Sequence, residues 1–109
     1  MNFQNIRRRR YDRYRSAMNT ARRLADVLKK KYHVRKIVLI GSLNEKERFG
    51  GHSDIDLCVE GLPPEQYFQA VGELLLAADA FDVDLVPIEK ATGRMLQSVA
   101  AGKVLYEKR

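Results

Sequence analysis

Asp54 and Asp56 stand one residue apart in the run DIDLCVE, and Asp82 and Asp84 repeat that spacing in FDVDLVPIE. Successive side chains of a strand point to opposite faces, so each pair sets two carboxylates side by side and leaves Ile55 with Leu57, or Val83 with Leu85, on the other face. Carboxylates held that close repel each other unless a cation lies between them or one takes up a proton. Hard divalent ions such as Mg²⁺ are bound by one or two carboxylates together with phosphate oxygens and water. Three carboxylates converging from neighbouring strands can hold two such ions, which activate an attacking oxygen and stabilise a leaving pyrophosphate. The plainer reading of such a pair is the wet face of an edge strand, and that reading is taken for Asp82.

Ahead of the first pair, the apolar run KIVLIG stops at Gly41-Ser42. A missing side chain at 41 lets the backbone approach a bound group closely. Free N–H groups at the start of a following helical turn would suit a nucleotide's phosphates, and the Ser42 hydroxyl could donate to one of them. Eleven residues separate Ser42 from Asp54, among them Lys46, Arg48, Gly50-Gly51 and His52. His52 is read as a loop residue, His33 as a helix-end residue near the last carbonyls, Cys58 as a small core residue, and Tyr106 as packing.

The elements that must position these residues are legible in the pattern. Tyr14, Met18, Ala21, Ala25, Leu28 and Tyr32 form one stripe of an amphipathic helix whose other faces are basic. Lys29 to Lys31 suit its C-terminus, and residues 1–10 are read as a basic extension frayed from it. KIVLIG predicts a strand buried on both faces, and DIDLCVE a second, closed by Gly61. Pro63-Pro64 open a helix over 65–78 that carries Tyr67, Phe68, Val71, Leu74, Leu75 and Ala78 at helical spacing. FDVDLVPIE is a third strand, with Pro87 placing its end near a sheet edge or terminus. A short helix over 91–101, capped by Gly102, and a last strand KVLYE complete the chain.

With 109 residues the chain fits one domain, 1–109. Its 45% hydrophobic and 31% charged composition is that of an ordinary globular protein. No apolar run approaches the ~18 residues of a membrane span. A lone cysteine makes no internal disulfide, and a cytoplasmic location is expected. The formal charge of +6 is uneven: residues 1–36 carry 13 Lys or Arg against Asp12 and Asp26, a net of +11, and the remainder carries −5. Such a basic segment attracts phosphate-rich or acidic partners.

The ordered set LIGS, SDIDLCVE and VDLV resembles the minimal nucleotidyltransferases of the DNA polymerase beta superfamily, over nearly the whole chain. The resemblance implies an α/β fold of the α+β type, with a small mixed sheet of three to four strands, helices packed on it and a long N-terminal helix. It implies transfer of a nucleoside monophosphate, AMP from ATP, with two Mg²⁺ ions. Carried over residue by residue, Asp54, Asp56 and Asp84 are catalytic metal ligands, and Gly41 and Ser42 hold the triphosphate. Asp84 is preferred to Asp82 because it matches the aspartate of the family's DLV. Many members follow Gly-Ser with an arginine-rich RARG-like stretch. Here LNEKERFGG stands in its place, with Lys46 and Arg48 as the expected phosphate contacts.

Larger members carry a further domain for the acceptor. With no residues left for one here, the acceptor is expected on another chain. Short stand-alone members resembling this one are paired with a helical HEPN toxin, which they neutralise as antitoxins by attaching AMP to a tyrosine, by masking, or both. Two alternatives stand beside that expectation: an idle antitoxin that acts by binding alone, and nucleotide addition to RNA, supported by the basic segment.

Overall fold

A computed structural model of the chain describes residues 3–41, 43 and 54–109. Helix α1 spans Phe3–Tyr32, and α2 and α3 span Tyr67–Ala78 and Arg94–Ala101. Strands β1 (Lys36–Ile40), β2 (Ile55–Glu60), β3 (Val83–Pro87) and β4 (Lys103–Glu107) form one sheet in the order β3-β2-β1-β4. β1 is antiparallel to β2 and β4, whereas β2 and β3 are parallel and joined through α2. This is the mixed sheet expected of the α+β nucleotidyltransferase fold. It is a consequence of connection length: parallel neighbours need a crossover, and α2 supplies it.

The period-two pattern sorts the strands onto two unequal faces. Ile37, Leu39, Ile55, Leu57, Val59 and Leu85 face the main core, where they meet Ala17, Ala21, Leu24 and Leu28 of α1 and Ala70, Leu74 and Ala78 of α2. Val38, Ile40 and Cys58 face the other way, under Met95 and Val99 of α3 with Val86 and Ile88 beside them. Cys58 is buried there as a small core residue. The short α3 covers only part of this second face, and the aspartates occupy the rest.

Several boundaries differ from the sequence reading for local reasons. The helix begins at Phe3, so the stretch read as a frayed extension is helical from its third residue. Pro63-Pro64 start a single 3₁₀ turn, Pro64–Gln66, before α2 begins at Tyr67. On α2 the apolar residues are more than one face can bury: Phe68 and Leu76 are each 86% exposed. A second 3₁₀ turn, Ile88–Lys90, precedes α3, which starts at Arg94. β3 and β4 are the edge strands, and Pro87 is the last residue of β3, where a missing N–H is tolerated. His33 follows α1 with φ +53°, the left-handed conformation that often ends a helix.

Gly102 does follow α3, but in extended conformation with φ −76°. Its reason is space. A Cβ there would come 2.5 Å from Val38 Cγ1 and 2.8 Å from the Leu39 carbonyl oxygen. A bare backbone lets the chain leave α3 directly over β1. The two helices on the main face are tied by Glu73, which accepts from the Tyr32 hydroxyl at 2.7 Å and from Lys31 Nζ at 2.9 Å. Those bonds hold the Glu73 carboxyl below its ordinary range, Lys31 contributing most.

Candidate active site

Register decides which carboxylates meet. Asp56 is the Cα partner of Asp84 in the parallel β2–β3 ladder and of Ile40 at the end of β1. Both carboxylates therefore lie on the α3 face of the sheet, at the end where β1 leaves it. Asp54 is exposed immediately before β2. The next residue's N–H, that of Ile55, donates to the Asp82 carbonyl at 2.9 Å, which locks the strand starts together. Asp82 is exposed.

The electrostatics report the same clustering. Asp56 is partly buried, and its carboxyl is pushed up to about 6, first by burial and then by the charges of Asp84 and Asp54. Two residues on, burial raises the Cys58 thiol to about 11, with Asp56 and Asp84 adding to the effect. Burial and the two neighbouring carboxylates thus act on Asp56 in the same direction. Among the described residues, no three acidic, histidine or cysteine side chains stand close enough to hold a metal ion as they are. The donor set is nonetheless that of a hard divalent ion: oxygen ligands, mutually repelling and partly open to solvent.

Gly41 adds a contact that sequence reasoning missed. It has φ +79°, in the left-handed region, and a Cβ there would collide with Asp56 Oδ2. The glycine is thus needed on two counts, conformation and the room it leaves for the carboxylate. The motif signal was present in the sequence, but the partner of the missing side chain was not. Leu43, next but one, is fully buried in the main core and anchors the chain as it leaves β1. Ser42, Lys46, Arg48, Gly50, Gly51 and His52, the remaining expected phosphate-loop residues, lie outside the described residues.

The other candidates are placed elsewhere. Tyr106 pairs with Ile37 and packs against the main core, with Lys29 Nζ 4.9 Å from its ring centre. It lies on the face opposite the carboxylates. An apolar cavity of about 450 Å³ among Leu62, Pro64, Tyr67, Phe68, Pro87 and Lys90 sits at the far ends of β2 and β3, away from the aspartates.

Residues 22–109 match the family described as polymerase beta, nucleotidyltransferase. The chain belongs to that family. No curated protein matches this nucleotidyltransferase in sequence. Among solved structures it is similar to a chain of a mutant MntA-HpeT toxin–antitoxin complex, with a TM-score of 0.68 and 24% identity, covering 82% of this chain and 74% of that one. It is also similar to a chain of a toxin–antitoxin structure with AMP-PNP, at TM-score 0.66 and 26% identity over 81% and 74% of the two chains. A third similarity is to the tri-AMPylated Shewanella oneidensis HEPN toxin in complex with MNT antitoxin, at 0.61 and 25% over 84% and 73%. Among the described residues, no helix of this nucleotidyltransferase is long and apolar enough to cross a membrane.

Proposed function

We propose that this nucleotidyltransferase moves AMP from ATP to a tyrosine of a HEPN-type toxin and acts as its antitoxin in the cytoplasm, as a single domain over 1–109. The observation that carries the chemistry is the Asp56–Asp84 pairing, with Asp54 close enough to act on Asp56 and Gly41 seated against its carboxylate. The observations that support the partner are the likeness to the tri-AMPylated HEPN toxin in complex with MNT antitoxin and the likeness to a toxin–antitoxin structure with AMP-PNP.

In this reading Asp54, Asp56 and Asp84 hold two Mg²⁺ ions, which when bound supply charge neutralisation and Lewis acidity at the reacting phosphate. Gly41 keeps the β1 end open so that the triphosphate can approach the carboxylates. Ser42 and Arg48 contact its oxygens. The acceptor tyrosine's oxygen forms the new bond to the α-phosphorus, the bond to the β-bridging oxygen breaks, and pyrophosphate leaves. Asp84, exposed on the edge strand, receives the phenolic proton.

The test is incubation with Mg²⁺, α-labelled ATP and the HEPN partner. Label on a partner tyrosine, lost in Asp54→Ala with Asp56→Ala, is the expected result. A second reading, an antitoxin that neutralises by binding alone, draws on the absence of a preassembled three-ligand cluster among the described residues. It predicts no labelling with any nucleotide, and full neutralisation by the double variant.

A further inference from the structure

α2 carries a surface that neither the core nor the proposed chemistry uses. A helix packed on a core ordinarily turns charged and polar residues to water. Over Tyr67–Ala78 the only charged residue is Glu73, and that side chain is turned to Lys31 and Tyr32 of α1. What faces out instead is apolar: Phe68 and Leu76 are each 86% exposed, and Leu75 is 46% exposed.

Their spacing is symmetric about one residue. Phe68 stands four positions before Gly72 and Leu76 four positions after it, so at about 100° per residue the three share one stripe, with Leu75 beside it. Gly72 is exposed, and a Cβ built on it meets nothing within 4 Å. The stripe is thus two large apolar knobs with bare backbone between them. A second such stripe, run antiparallel about a twofold axis at Gly72, sets Phe68 of each copy against Leu76 of the other. The missing side chains at the axis let the two backbones approach closely.

The ends of the stripe match in charge. Phe68 packs edge-on against the Tyr67 ring at 5.5 Å between centres, and both line the apolar cavity whose rim includes Lys90. Asp79, seven positions after Gly72, lies at the other end of the same stripe. Antiparallel pairing brings Asp79 of one copy to the Lys90 end of the other. Both residues are exposed and, among the described residues, neither is in an ion pair. Glu65, exposed at the Lys90 end, offsets part of that attraction, so the apolar stripe carries most of the affinity.

The area is sufficient. Phe68, Leu75 and Leu76 together leave roughly 400 Å² of apolar surface in water. Buried on both copies together with the cavity rim, it comes to about 1,000 Å², the least that a specific interface needs.

We propose that this stripe is a dimer interface on which a second copy of the chain packs, α2 antiparallel to α2, with the twofold axis at Gly72. α2 lies on the sheet face opposite the aspartates, so both sites of the dimer stay open. The pairing is separate from nucleotide transfer and does not depend on the transferase reading.

Sedimentation velocity of the full chain alone, across about 1–300 µM, tests it, because an interface of this size gives micromolar association. The mass should rise from one chain to two over that range. Leu76→Glu should weaken dimerisation at least ~10-fold, and its exposed position leaves the fold intact. Lys90→Glu should weaken it several-fold, and adding Asp79→Lys to that variant should restore it. A mass of one chain at every concentration would overturn the proposal, as would a dimer indifferent to Leu76→Glu or a double variant no better than Lys90→Glu alone. A stripe protected from hydrogen exchange only when a HEPN protein is added would also overturn it, and would assign the face to that partner.

Discussion

Asp56 is the residue on which most of the site's physics converges. Its carboxyl is raised from 3.8 to about 6 by burial and by its two neighbours. The folded protein therefore holds this proton more tightly than the unfolded chain. Stability from this group is complete below pH ~3.8 and is lost as pH rises through ~6. One unit corresponds to ~1.4 kcal/mol, and screening of this partly open site reduces the full shift to ~1–2 kcal/mol. Denaturant unfolding in chelator should show metal-free stability falling by that amount between pH 4 and 7. Asp56→Asn should flatten the profile and raise neutral-pH stability while removing transfer. Gly41→Ala should instead destabilise the protein, by ~1–2 kcal/mol through its left-handed φ, and should lower transfer at least tenfold by displacing Asp56. Equal activity of Gly41→Ala and wild type in the labelling assay would show that the carboxylate tolerates the shift.

Elements distribute the remaining constraints, and glycines at two helices separate cleanly. Gly72 sits inside α2 with nothing within 4 Å of a Cβ built on it. Gly72→Ala should stabilise the protein by ~0.5–1 kcal/mol, read as a higher denaturant midpoint. Gly102→Ala meets Val38, Leu39 and Ile40 of β1 instead, and should cost ~1–3 kcal/mol by overpacking. Helix propensity alone would have ranked these two the other way in importance, because the collision belongs to the fold and not to the local chain. The same distinction runs through α2. Its apolar spacing announced a helix, but the spacing could not say that Phe68 and Leu75 would be left exposed.

At the scale of the molecule, a two-sided sheet separates packing from chemistry. α1 and α2 bury one face, and α3 leaves the aspartate end of the other open. The order of helices and strands, the alternation of DIDLCVE and FDVDLVPIE, and the turn at Gly41 were all legible in the sequence, because they follow from periods of 3.6 and 2 and from backbone freedom. What the sequence could not determine was strand order and register. Those place Asp56 against Asp84 and beneath Gly41, and they put Cys58 under α3 and Tyr106 on the opposite face. Such contacts join residues that the chain keeps far apart, and only burial of the whole sheet between its helices selects one pairing among the alternatives.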